Sequence, residues 1–222
     1  MAFDPEKPVI YLITSGETNL QTVPATEDFS IILRMVEAAV AAKIDLVQLR
    51  EKNLTAGVLY KLATRAAKIT RASTTKLLIN DRADIASAAG ADGVHLTTTS
   101  IPTDVVRRTF GDDFLIGVST HSLAEAATAR RSGADFVVFG PIFNMPSKHK
   151  YGAPLGLNEL EKVASELKPF PVLALGGVSS GNVADCIRAG AQGVAAIRML
   201  NDASKLHQVV NEIRGRFARG PS

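Results

Sequence analysis

The chain has 222 residues, 46% of them hydrophobic, 21% charged and 5% aromatic, the make-up of an ordinary globular protein rather than a disordered or fibrous one. With 25 Lys+Arg against 22 Asp+Glu, no Trp and three Tyr, it lacks the clustered cations and aromatic platforms expected of a nucleic-acid binder. Its one cysteine, Cys186, cannot close an internal disulfide and stands in no zinc-like Cys/His spacing, so a reducing compartment, the cytoplasm, is expected.

The opening MAFDPEKPVIYLIT carries an acid and two prolines before a short apolar run, which is not the pattern of a signal peptide. No run of apolar residues is long enough to predict a membrane span. Short β-branched runs recur at 9–13, 46–49, 76–79, 93–96, 114–118, 136–139, 172–175 and 194–197. Stretches of helical period lie between them, among them 29–42, 55–72, 123–131, 157–167, 182–189 and 205–217. The runs are nearly continuous in apolar character, as parallel strands are when helices cover both faces.

One entry motif repeats before the even runs: Gly90-Ala91-Asp92-Gly93-Val94, Gly133-Ala134-Asp135-Phe136-Val137 and Gly190-Ala191-Gln192-Gly193-Val194, with Lys43-Ile44-Asp45-Leu46-Val47 as a looser copy. A glycine just past a helix takes the left-handed conformation that ends it, so each motif reads as a helix stop followed at once by a strand. Eight such units predict an α/β fold, a single (β/α)8 TIM barrel over residues 1–222 with flexible ends at 1–8 and 218–222. A doubly wound open sheet is the alternative.

A barrel of this kind works at the carboxyl ends of its strands, so the residues just past each run are the candidates. Past the second lie Gln48-Leu49-Arg50-Glu51-Lys52, where alternation points Gln48, Arg50 and Lys52 the same way, toward an anion. Past the third, Asn80 can donate to phosphate, and Asp81 can either hold a metal or cap the next helix. Past the fifth come Ser119-Thr120-His121-Ser122. Ser122 with Glu125 fits a capping box, leaving Ser119 and His121 for the mouth; His121 is a candidate acid or base, and His95 a lesser one. The polar loop 140–152 carries Lys148 within reach of a phosphate. Past the seventh and eighth runs stand Gly176-Gly177, whose N–H groups can approach a phosphate, and Ile197-Arg198. Two anion sites, and hence small phosphorylated substrates, follow; a homo-oligomer stays open.

In this order VQLREK, NDRADIA, GADGVHL, GVSTHS, GADFVVFGPIF, SK and ALGGV resemble the thiamine phosphate synthase family, from Tyr11 nearly to Met199. The resemblance implies a barrel that joins a hydroxymethylpyrimidine diphosphate to a thiazole phosphate with Mg2+, releasing diphosphate by a dissociative route. It implies that Gln48, Arg50, Lys52, Asn80, Ser119 and Lys148 hold the pyrimidine diphosphate, with Arg50, Lys52, Ser119 and Lys148 assisting its departure. Asp81 would bind magnesium, and Ser147, Gly177 and the backbone near Ile197 would face the thiazole phosphate. The chain departs from the family pattern where Ser100 stands in place of a second metal-binding aspartate, Met145 in place of a threonine and Arg198 in place of a serine; weaker magnesium binding is expected. The related thiazole tautomerase, working through His121 without metal, and a noncatalytic phosphate-binding barrel are the competing readings.

Overall fold

The computed structural model describes residues 7–144 and 153–218; the ends expected to be flexible fall almost wholly outside these residues, as do Met145, Ser147 and Lys148. Among the described residues β1 (Val9–Ile13), β2 (Leu46–Leu49), β3 (Lys76–Asn80), β4 (Gly93–Leu96), β5 (Leu115–Thr120), β6 (Phe136–Phe139), β7 (Val172–Leu175) and β8 (Gly193–Ala196) close into one parallel barrel in chain order. Each is followed by a helix: α1 (Glu27–Ala41), α2 (Ala56–Thr70), α3 (Ala83–Ala89), α4 (Thr103–Phe110), α5 (Leu123–Arg131), α6 (Gly156–Leu167), α7 (Val183–Arg188) and α8 (Leu206–Ala218). This is the (β/α)8 barrel, and the open doubly wound sheet is excluded by the pairing of β1 with β8. No described helix is long and apolar enough to cross a membrane.

Two apolar layers explain the continuous runs. Tyr11, Leu46, Leu78, Leu115, Phe136, Val138 and Leu173 fill the barrel interior. Their alternating neighbours Leu12, Val47, Leu77, Val137 and Ala174 face outward to meet the helices. Both faces of each strand are therefore withdrawn from water, and polar alternation disappears. The helices answer with one apolar stripe each, such as Phe29, Ile32, Met35, Val36 and Ala39 on α1; this is the spacing of a single helical face.

The repeated motif does more than stop a helix. Gly90, Gly133 and Gly190 take φ of 71°, 91° and 86°, and Lys43 adopts the same left-handed turn at 57°. Two residues on, the carboxylate reaches the strand before: Asp45 Oδ2 accepts from Ile10 N at 2.8 Å, Asp92 Oδ2 from Leu77 N at 2.8 Å and Asp135 Oδ2 from Ile116 N at 2.7 Å. Odd and even strands are thus stitched in pairs at the end of the barrel where strands enter, leaving the opposite end for chemistry. Arg107 on α4 reinforces one stitch, donating to Asp135 Oδ2 at 2.7 Å and to the carbonyls of Gly111, Phe114 and Gly133.

Two strand boundaries differ from the sequence expectation in ways that matter for the mouth. Phe114 stacks on Phe110, ring centroids 4.8 Å apart, instead of starting β5, and the strand runs on to Thr120. Ser119 is consequently a strand residue paired with Val138, sharing the inward parity of Leu115 and Gly117. β3 likewise extends to Asn80, paired with His95.

Candidate active site

The carboxyl ends of the strands surround an open cavity of about 990 Å³, lined by Gln48, Arg50, Lys52, Asn80, His95, Ser119 and His121 on one side and by Gly176, Gly177, Ile197 and Arg198 on the other. Leu49 and Glu51 do not reach it. Leu49 turns outward into the layer between sheet and helices. Glu51, 3% exposed, accepts from Thr14 Oγ1 at 2.5 Å and Thr18 Oγ1 at 2.7 Å. Both oxygens are spent holding the β1 loop to the β2 loop, and Thr14 Oγ1 in turn accepts from Arg50 N at 2.9 Å. Gly16, at φ 74°, lets the loop lie on Arg50: a Cβ there would meet Arg50 O at 2.9 Å. Ser147 and Lys148 lie outside the described residues.

The floor of the cavity is polar and neutral. Gln48 is 2% exposed, and its Nε2 has no hydrogen-bond partner among the described residues. A buried amide left unmatched at a cavity floor is a donor for whatever enters. His95 is buried beside it, and desolvation, with a smaller push from the Arg50 charge, lowers its pKa from 6.5 to about 3. The ring is therefore uncharged at neutral pH. Its Nε2 lies 2.8 Å from Ser119 Oγ.

His121 Nδ1 meets Gly140 O at 2.5 Å. A carbonyl only accepts, so Nδ1 carries a proton, and of the two neutral tautomers this selects the one whose lone pair is on Nε2. Ser122 accepts from Glu125 N at 3.2 Å as a cap, and Glu125 Oε2 accepts from His121 N rather than from the capping residue's own N–H.

Across the mouth, Gly176 and Gly177 take φ of 95° and 67°. Side chains there would strike Pro141 Cβ at 2.6 Å and Phe143 Cβ at 2.7 Å, so only glycine lets this turn pack against the segment that follows β6. The N–H groups of Gly177 and Val178 make no hydrogen bond among the described residues and stay available to an anion. Asn201 Nδ2 donates to Ile13 O at 2.6 Å and Ile197 O at 2.7 Å, fastening the exits of β1 and β8 together.

Whether these residues fit a magnesium ion is a question of donors. Asp81 does not cap α3, whose first residue follows Arg82 without a side-chain cap. It sits exposed with φ 61°, a turn that aspartate tolerates, and its N–H donates to His95 O at 2.9 Å. Its carboxylate makes no hydrogen bond among the described residues. The Ser100 hydroxyl is closed into its own turn, accepting from Thr97 N at 2.8 Å and lying 3.0 Å from Thr97 Oγ1. Among the described residues no three His, Cys, Asp or Glu side chains gather as a metal cage. One free carboxylate beside a phosphate site still suits magnesium, which keeps several waters and takes other oxygens from its substrate.

Ser15, Glu17, Thr97, Thr98, Asn144, Met199 and Asn201 also line the cavity and were not singled out from the sequence. The rule that pointed past the other strands applied equally to Ser15-Gly16-Glu17 after β1.

A family model described as thiamine monophosphate synthase matches residues 10–200. The chain is 37% identical over 193 residues to the thiamine-phosphate synthase of Roseiflexus castenholzii, covering 85% of this chain and 79% of that protein. It is 38% identical over 184 residues to the thiamine-phosphate synthase of Methanoculleus marisnigri, covering 83% and 87%. Among solved structures, thiamine phosphate pyrophosphorylase from Pyrococcus furiosus superposes with a TM-score of 0.78 at 26% identity, covering 97% of this chain and 98% of that one.

Proposed function

Because the chain belongs to the thiamine monophosphate synthase family, we infer that its barrel mouth joins a hydroxymethylpyrimidine diphosphate to a thiazole phosphate, forming thiamine phosphate and releasing diphosphate. The protein is a transferase acting on small phosphorylated substrates, and one barrel domain carries the whole site. The observation that supports this most is that one cavity brings two separate sets of cations and N–H donors to the same mouth. Arg50, Lys52 and Asn80 form one, and the Gly176-Gly177 turn with Arg198 the other.

The bond from the pyrimidine methylene carbon to the diphosphate oxygen breaks with its electron pair leaving on oxygen; the thiazole nitrogen then donates its lone pair to that carbon. No proton moves in either step, so the site needs charge and orientation rather than a base. Arg50 and Lys52 neutralise the departing diphosphate, together with Lys148 of the family set, which lies outside the described residues, and charge-assisted hydrogen bonds of this kind are the stronger class. Asn80 and Ser119 add neutral donors to the same group. Gln48 Nε2 offers its unmatched N–H to the pyrimidine ring. The N–H groups of Gly177 and Val178, with Arg198, hold the thiazole phosphate. Asp81 would hold magnesium, which would supply further charge neutralisation when bound.

Incubating the purified protein with both substrates and magnesium tests the reading. Thiamine phosphate and diphosphate should appear in equal amounts. Absence of product at every magnesium concentration overturns it. The isomerase alternative draws on one observation, the free Nε2 of His121 in the mouth; interconversion of thiazole isomers without any pyrimidine would favour it.

A further inference from the structure

We propose that His95 is a positioning residue for Ser119: its ring donates from Nε2 to Ser119 Oγ, and so turns the serine's own proton outward to the substrate in the mouth. The two atoms are 2.8 Å apart, and a neutral imidazole has two ways to make that bond. With the proton on Nδ1, Nε2 accepts from Ser119, whose hydroxyl then shows only lone pairs to an incoming anion. With the proton on Nε2, Ser119 accepts from the ring and its hydroxyl donates into the cavity.

The surroundings of Nδ1 decide between them. Nδ1 is buried and has no hydrogen-bond partner among the described residues. Tyr11 and Phe136 close around the ring with centroids 5.6 Å and 6.2 Å away, and the Tyr11 hydroxyl is itself unpartnered. A Cβ on Gly117 would stand 2.8 Å from Nδ1 and 2.3 Å from Phe136 Cζ, so the edge of Phe136 borders the same pocket. An aromatic edge is the positive side of the ring quadrupole and suits a nitrogen lone pair better than an N–H. A buried N–H without an acceptor is also among the rarest defects in folded proteins. A doubly protonated ring is excluded by burial and by the nearby Arg50 charge. The bare Nδ1 and protonated Nε2 remain.

The consequence for catalysis rests on the diphosphate reading above; the tautomer itself does not. Long-range 1H–15N correlation on the 15N-labelled protein without substrate reads it, with the His95 signals assigned by their loss in His95→Gln. A protonated Nε2 and bare Nδ1 near neutral pH are expected; a protonated Nδ1 or an imidazolium overturns the proposal. Kinetics of His95→Leu, Ser119→Ala and the double variant then test whether His95 acts through the serine. Each single change should raise KM for the pyrimidine diphosphate and lower kcat/KM by about 10- to 100-fold. The double variant should fall within about twofold of Ser119→Ala alone; losses that multiply overturn the proposal. Should His95→Leu fold poorly, His95→Gln, whose amide nitrogen keeps a donor, decides instead. Recovery of activity toward the unmodified level supports the proposal, and a loss as deep as that of Ser119→Ala overturns it. Failure of the unmodified protein to couple the two substrates sinks the function reading and the use of Ser119 with it, whereas the wrong tautomer sinks the positioning alone.

Discussion

Arg50 is held from behind and exposed in front. Its N–H is bound by Thr14 Oγ1 at 2.9 Å, Gly16 folds over it, and its charge is felt at the buried His95 ring. The backbone that carries this cation is thus anchored at the cavity rim, and Arg50→Ala should lower kcat/KM by roughly 100-fold or more while the thermal unfolding midpoint barely moves; unchanged kinetics would remove it from the diphosphate wall. Ser100 invites the opposite experiment. An aspartate there can still accept from Thr97 N, as the serine does, and adds the carboxylate that the turn lacks. Ser100→Asp should tighten magnesium binding measured calorimetrically in the presence of diphosphate, and an unaltered isotherm would rule the position out. The β2 exit shows how far single residues could be read. Two-residue alternation grouped Gln48, Arg50 and Lys52, which all line the cavity, but the expectation that Leu49 and Glu51 also bind substrate fails, because both turn away from the mouth, Leu49 into the layer beneath the helices and Glu51 onto Thr14 and Thr18. The identity of Glu51's partners was beyond alternation, since Thr14 is 37 residues away.

Elements show a different balance. Strand positions were legible because apolar runs bounded by glycine are short and sharply marked. The stretch holding α4 was not named as a helix: it is only eight residues long and mostly polar, with Thr103, Asp104, Arg107, Arg108 and Thr109 against a single buried residue, Val106. Its contribution is ionic. Arg107 makes five hydrogen bonds to Gly111, Phe114, Gly133 and Asp135, and its pair with Asp135 is mostly shielded, at 16% and 18% side-chain exposure. Arg107→Met keeps the stem but leaves Asp135 and three carbonyls short of a donor, and should cost about 2–5 kcal/mol. Differential scanning calorimetry should register this as a fall of roughly 5–15 °C in Tm. A change under about 2 °C would mean that the stitch at β5 holds without the guanidinium.

The molecule as a whole depends on closing β8 against β1. Their register sets Gly193 beside Val9, and a Cβ on Gly193 would lie 2.0 Å from Val9 O and 2.6 Å from Val9 N. Gly193→Ala should therefore destabilise the barrel by about 3 kcal/mol or more, seen as a lower midpoint in urea. Gly215 on α8, where an added Cβ meets nothing, provides the contrast, because alanine there should gain about 0.5–1 kcal/mol from helix propensity. Equal effects at the two sites would contradict the close approach at the seam. Periodicity and the repeated entry motif determined eight β/α units with polar strand exits, because hydrophobic spacing reports which face of its own element a residue occupies, but they left an open doubly wound sheet as the alternative until the pairing of β1 with β8 closed the barrel. Only the tertiary structure decided that Glu51 is a strap, that Asn201 locks a seam to Ile13 across 188 residues, and that His95 stands behind Ser119. Such pairings depend on which distant strand comes to lie opposite, and no local period encodes that.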